Sequence, residues 1–246
     1  MKSSTFLTAE WRKLAMANYA VDQALLAPFL PAGTELDSWQ GTCYVSLVGF
    51  MFLNTRIKGI PVPFHTNFEE INLRFYVRRK EGQEWRRGVV FIKEIVPRPA
   101  LAFVANKIYK ENYETMPTAH TWLLDKDPME IEYRWKKKGW HKLHLTASPE
   151  PVLIEKESEH EFITEHYWGY TQLSPSLTSQ YEVTHPQWLT YPVIHYTIDV
   201  NFGLVYGERF AFLSQQQPRS VLLAEGSQIA VKAGSRLLHA PDPLPK

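Results

Sequence analysis

The sequence predicts one mixed α+β domain, mainly β and dominated by antiparallel strands. Its 246 residues include 8 Trp, 12 Tyr and 13 Phe beside 17 Pro, a mixture of large flat side chains and turn formers that favours β structure. Residues 71–78 and 130–136 alternate apolar and polar side chains with the period of a strand. No internal repeat, Gly/Ser-rich stretch or long charged run divides the chain, so residues 1–238 are expected to form a single domain, with 239–246 as a frayed tail.

The elements follow in order. Lys2 precedes no apolar run, and Glu10, Arg12 and Lys13 come at once, so the N-terminus does not read as an export signal. Residues 22–30 read as a short helix capped by Asp22, with Leu25, Leu26 and Phe29 on one face and Pro31-Ala32-Gly33 as its stop. A buried strand is expected at 42–54, where the apolar run is half the length of a membrane span. A turn follows at Lys58-Gly59-Ile60-Pro61. In 71–78, Ile71, Leu73, Phe75 and Val77 share one face while Asn72, Arg74 and Tyr76 share the other. A polar loop over 79–87 leads into 88–96, which is apolar on both faces and so fits a strand covered on both sides.

Helical spacing of Leu101, Val104, Ala105 and Ile108 predicts a helix over 99–109. Residues 130–136 and 140–146 form a hairpin about Lys137-Lys138-Gly139, with Ile131, Tyr133 and Trp135 inward. Phe202, Tyr206, Phe210 and Leu213 predict a helix of about three turns. Residues 220–224 and 228–231, joined by Glu225-Gly226-Ser227, read as a closing hairpin.

Lys and Arg total 27 against 26 Asp and Glu, a formal net charge of +1 that leaves no electrostatic footprint for nucleic acid or an anionic membrane. The lone cysteine, Cys43, excludes an intramolecular disulfide and a cysteine metal cluster. No dinucleotide, phosphate-loop or nucleophile-elbow motif is present. A cytoplasmic location is expected.

Glu94 is the leading candidate for chemistry, because its neighbours in 88–96 are apolar apart from Lys93. A carboxylate in such a strand must be paired or have its pKa raised by desolvation. It reads either as a general acid/base or ligand-orienting group in a pocket, or as half of a structural pair with Arg74. His65 sits in a loop with Glu69 and Glu70 close behind. His166 lies in Glu165-His166-Tyr167-Trp168-Gly169-Tyr170, a run whose rings, Tyr167 and Trp168 among them, suit a pocket for a small organic ligand. His141 and His144, three apart on a strand, face opposite ways and cannot share a metal, and no metal site is expected.

Met16-Ala17-Asn18-Tyr19-Ala20-Val21-Asp22, the run His65-Thr66-Asn67-Phe68-Glu69-Glu70-Ile71-Asn72-Leu73-Arg74-Phe75-Tyr76-Val77, and residues 87–97, 165–170 and 181–188 resemble the uncharacterised YqjF-like family of the acetoacetate decarboxylase-like superfamily. Shorter matches to acetoacetate decarboxylase itself are Tyr19 to Pro31, Ile60-Pro61-Val62 and Lys93-Glu94-Ile95. The resemblance implies a closed, cone-like antiparallel β-barrel with flanking helices and an interior ligand cavity. It also implies a lysine imine with a keto acid and an upstream arginine on the substrate carboxylate. That arginine falls on Arg12. The imine lysine falls after Pro99, where Ala100 and Leu101 stand, and alanine cannot form an imine. Lys93 and Lys107 are the nearest amines.

Two functions of different class result, alongside a purely structural or oligomerisation domain. One is a barrel binding a small carbonyl or carboxylate ligand with no Schiff-base lysine, no cofactor and no metal, using Arg12, Arg74, His65, His166, Tyr167 and Trp168. The other is an enzyme acting on a keto acid or related carbonyl compound with Glu94 as acid/base. In both, the partner is a small molecule rather than nucleic acid or membrane, and a homo-oligomer is compatible with either.

Overall fold

The computed structural model describes residues 4–61, 63–99 and 112–239. The strands β1 (Thr5–Val21), β2 (Glu35–Leu36), β3 (Cys43–Ile57), β4 (Ile60–Pro61), β5 (Phe68–Glu81) and β6 (Glu84–Val96) come first. They are followed by β7 (Tyr113–Thr115), β8 (Thr118–Leu123), β9 (Met129–Lys137), β10 (Gly139–Ala147) and β11 (Val152–Leu153). The chain closes with β12 (Trp168–Ser174), β13 (Leu177–Thr184), β14 (Leu189–Tyr191), β15 (Val193–Asp199), β16 (Ser220–Lys232) and β17 (Ser235–Leu238). Helices are short, the α-helices being Gln23–Leu26, Glu159–Thr164 and Phe202–Tyr206 among the described residues, and none is long and apolar enough to cross a membrane.

A large sheet runs in the order β11-β14-β16-β1-β3-β5-β6-β12-β13-β17, and β13 also pairs with β16. A second sheet, β15-β10-β9-β8, covers one of its faces. Apolar residues on both faces of β1, β3, β5 and β6 explain this arrangement, since each face needs its own cover. Ala15, Tyr19, Leu47, Leu73 and Phe75 meet Ile131, Tyr133, Trp135 and Leu145 from the small sheet. The sheets approach so closely that a Cβ on Gly49 would fall 2.9 Å from the Tyr133 ring. On the other face Leu14, Met16, Tyr44, Phe50, Tyr76 and Trp188 form a second core. One buried polar cluster between β1, β3 and β5 is satisfied locally: Ser46 Oγ donates to Asn18 Oδ1 at 2.6 Å and lies 2.7 Å from Tyr76 Oη.

Several expectations hold. Asp22 Oδ1 accepts from Ala24 N at 2.7 Å and starts the helix Gln23–Leu26, which passes into a tighter 3₁₀ turn over Ala27–Phe29. The β9–β10 hairpin keeps Ile131, Tyr133 and Trp135 fully buried, and it turns at Lys138 with φ 59°. His141 is buried and His144 half-exposed, on opposite faces as the strand period requires.

Others are corrected. The polar loop expected at 79–87 is a hairpin, paired from Arg78↔Arg87 to Glu81↔Glu84 around Gly82. Its polar residues are solvated or ion-paired on both faces, so alternation is invisible there. The helix expected over 202–213 breaks at Gly207 (φ 107°) into Phe202–Tyr206 and a 3₁₀ stretch Glu208–Ser214, although Phe202, Phe210 and Leu213 still pack into the core. The hairpin expected at 220–231 is the single strand β16, which stays paired with β1 from Asn18↔Ser220 to Thr5↔Lys232. Gly226 (φ 81°) and Lys13 (φ 52°) take left-handed backbone there while the β1–β16 register runs on unshifted, the shift at Lys13 falling between β1 and β3, and a Cβ on Gly226 would lie 2.0 Å from the Trp11 carbonyl oxygen. Pairing is not antiparallel throughout: β6 runs parallel to β12 and to β7. Apart from Pro99, the helix expected at 99–109, with Ala100, Leu101 and Lys107, falls outside the described residues, as does most of the tail.

Candidate functional site

The second core encloses a cavity of about 200 Å³. Period-2 projection from β5 sends Glu70, Asn72 and Arg74 to its wall, and β6 adds Glu94 opposite Asn72. Much of the remaining wall is aromatic. Trp11 lies edge-on to Phe50 at 5.4 Å and to Trp188 at 6.3 Å, while Phe52 stacks on Phe68 at 4.7 Å. Trp188 Nε1 donates to Ser227 Oγ at 2.9 Å, which fixes its ring.

Of the residues singled out from sequence, Glu94, Arg74, His65, His166 and Trp168 line this one cavity. Glu94 is 1% exposed. Arg74 is not its ion-pair partner. A register irregularity between Leu73 and Arg74 sets Arg74 opposite Phe91 and leaves Asn72 opposite Glu94. Arg74 Nη2 instead donates to the Ile163 carbonyl at 3.5 Å and approaches Met16 Sδ at 4.0 Å, and its buried Nε has no hydrogen-bond partner among the described residues. Among the described residues Arg74 makes no salt bridge. His65 is half-buried, with Nδ1 2.8 Å from the Pro63 carbonyl oxygen. The Arg86 guanidinium covers the Trp168 ring at 4.3 Å.

Tyr167 and Arg12 do not line the cavity. The Tyr167 hydroxyl donates to the Glu165 carboxylate, and its ring lies 4.7 Å from that of His185. Arg12 donates to Glu10 at 2.6 Å and to Glu225 at 3.4 Å. The neighbouring Lys13, buried at the β1 irregularity, pairs with Glu225 and donates to Tyr191 Oη at 3.0 Å. Lys93 Nζ donates to Glu114 and to the Val205 carbonyl, both at 2.6 Å. Among the described residues no lysine lines the cavity and no His, Cys, Asp or Glu cluster is placed to hold a metal.

The most structured polar contact was not legible in the sequence. Asp37 follows β2, whose pairing with β5 brings it beside His166, 129 residues away. His166 Nε2 lies 3.1 Å from Asp37 Oδ2, which also accepts from Arg87 Nε at 2.7 Å. Burial pushes the imidazole down to about 4 against the pull of the Asp37 hydrogen bond, with the charges of Arg87 and Arg74 adding to the decrease. Burial works to raise the Asp37 carboxyl, but hydrogen bonds from His166 and Arg87 outweigh it and hold it at about 2. An ionised Asp37 therefore fixes the proton of neutral His166 on Nε2. The ring is wedged between Tyr76 at 4.7 Å and Phe162 at 5.1 Å. Such a group can accept a proton or hydrogen bond at Nδ1, which has no partner among the described residues. Glu70 could have been found: extending the alternation of 71–78 one residue back puts it on the face of Asn72 and Arg74.

The fold is shared with solved proteins of low sequence identity. An acetoacetate decarboxylase-like enzyme from Sphingomonas wittichii RW1 is 12% identical with a TM-score of 0.64, covering 96% of this chain and 95% of that one. The acetoacetate decarboxylase of Legionella pneumophila subsp. pneumophila str. Philadelphia 1 is 12% identical with a TM-score of 0.66, covering 97% of this chain and 89% of that one. The enduracididine biosynthesis enzyme MppR complexed with pyruvate is 11% identical with a TM-score of 0.64, covering 99% and 93%. At these identities the likeness establishes a mainly-β α+β fold of the acetoacetate decarboxylase-like kind. In sequence, the uncharacterized protein YqjF of Bacillus subtilis (strain 168) is 27% identical over 184 residues, 73% of this chain and 72% of that protein. Residues 8–228 match the family model DUF2071, described as an uncharacterized conserved protein, and the chain belongs to that family.

Proposed function

We propose that this protein binds a small carbonyl or carboxylate compound inside a closed barrel, without lysine imine chemistry. Closure is supported by the pairing of Val183 with Val231, which joins β13 back to β16. The observation that carries the function is Arg74, a buried cation in the wall of an aromatic cavity with no anionic partner among the described residues. A guanidinium taken out of water is costly until an anion meets it, and its planar fork suits a carboxylate. Glu94 and His166 then orient the ligand, while Trp168 covers it. MppR, complexed with pyruvate, lends the carbonyl-acid class by analogy.

Incubation with acetoacetate and borohydride, followed by intact-mass measurement, tests the absence of an imine. No stable mass increase is expected, because the Lys93 amine is held by Glu114 and the Lys13 amine by Glu225. An adduct on any lysine would overturn this part and revive decarboxylase-type catalysis. Binding itself is read from Trp fluorescence: a carboxylated ligand should quench it, and Trp168→Phe should remove part of the change, Trp11 and Trp188 in the same wall carrying the rest. Undiminished quenching in that variant would move the ligand away from Trp168.

A second reading, an enzyme on a keto acid with Glu94 as acid/base, is favoured by the burial of Glu94 in the cavity wall. Turnover on a keto-acid panel with a pH–rate profile that Glu94→Gln abolishes would select it.

A further inference from the structure

We infer that the cavity takes an aryl monocarboxylate, a phenyl-sized ring joined by a short chain to one carboxylate. The inference rests on the binding function proposed above and narrows its ligand. Size comes first. An apolar cavity of about 150 Å³ is enough for benzene, and the cavity here measures about 200 Å³. The difference leaves room for a short chain and a carboxylate. A compact, ringless keto acid would leave most of the aromatic wall without contacts.

The wall has the chemistry of a ring site. Trp11, Phe50, Phe52, Phe91, Trp168 and Trp188 present both faces and edges, the two modes in which aromatic groups pack best. Charge then fixes the polar end. Arg74 is the only Lys or Arg among the described lining residues, and Arg87 nearby is already neutralised by Asp37 at 2.7 Å. The carboxylate therefore belongs at Arg74.

A second carboxylate is disfavoured. Farther along β5 stand Glu70, which accepts from Asn72 at 3.1 Å and from Tyr113 at 3.4 Å, and Glu94 across from Asn72. With Arg74 the one cation in the described lining, only one negative group is matched, so the ligand carries a single carboxylate at Arg74 and hydrocarbon elsewhere.

Calorimetric titration of the full chain with phenylpropionate, acetoacetate, phenylethanol and phenylethylamine separates the claims. Phenylpropionate is expected to bind at least ten-fold more tightly than each of the others. In Arg74→Gln the preference for phenylpropionate over phenylethanol should fall to near unity. Arg74→Lys, which keeps the charge but loses the fork, should retain part of it, with folding of both variants checked by circular dichroism. Acetoacetate binding as tightly as phenylpropionate would overturn the aryl inference and leave the carboxylate function standing. Phenylethanol matching phenylpropionate would overturn the carboxylate function itself. Preference for phenylethylamine, or no binding by any of the four, would overturn both.

Discussion

Acidification from pH 6.5 to 4 is expected to remove roughly 3 kcal/mol of folding stability through His166 alone. In the folded protein burial holds the imidazole at about 4, whereas the unfolded chain titrates near 6.5. Between those values the unfolded state binds a proton that the folded state refuses, so stability rises with pH across this window. The contribution is complete above pH 6.5 and is lost as the pH falls toward 4. Asp37 acts in a lower window: its carboxyl is held at about 2 against an ordinary 3.8, so its contribution survives to about pH 4 and fades only below. Urea midpoints at pH 7, 5.5 and 4.5 for the native chain and for His166→Gln would measure the effect. The variant should lose most of the pH slope but retain some, because burial also lowers His160 and His185. Equal slopes in the two proteins would refute the assignment.

Trp135→Ala should cost about 3–5 kcal/mol, the range for deleting a large aromatic from a packed core. Trp135 is wholly buried in the layer that joins the small sheet to the large one, on the same face of β9 as Ile131 and Tyr133. Its ring lies 5.9 Å from that of His141, which accepts from the Asn201 amide at 3.3 Å. The indole N–H is enclosed without a partner among the described residues, so its removal forfeits no hydrogen bond there and the cost is transfer plus cavity. Trp135→Phe, which leaves a smaller hole and removes the orphaned donor, should therefore cost well under half as much. Chemical denaturation of the two variants checks both numbers. An alanine variant within 1 kcal/mol of the parent would mean that the sheets close over the gap.

The sequence alone was enough for the features that depend on neighbours a few residues apart. Period-2 alternation identified β5 and the β9–β10 hairpin, together with their inward faces, and Asp22 marked its helix start. The apolar run of 88–96 announced a strand covered on both sides, and with it the burial of Glu94. The same logic failed where both faces have one character. β1 carries no alternation, because Ala9, Leu14, Ala15, Met16 and Ala17 are buried on both faces while Arg12 and Lys13 interrupt the pattern. The tip of the β5–β6 hairpin failed for the opposite reason, being polar on both sides.

What only the tertiary structure decided is which strand lies beside which, and therefore which side chains meet. Glu225-Gly226-Ser227 has the composition of a turn, yet β1 pairs with β16 across it and converts the turn signal into a bend. Arg74 and Glu94 occupy adjacent strands and the same cavity wall, but an irregularity of one register step separates them. Arg12, which the family resemblance pointed to, and Tyr167, which the aromatic run pointed to, are spent on neighbouring carboxylates outside the cavity. Asp37 carried no signal and became the partner of His166. Side-chain direction follows from local backbone period. Side-chain company depends on pairing across more than a hundred residues, chosen by which faces can be covered at once.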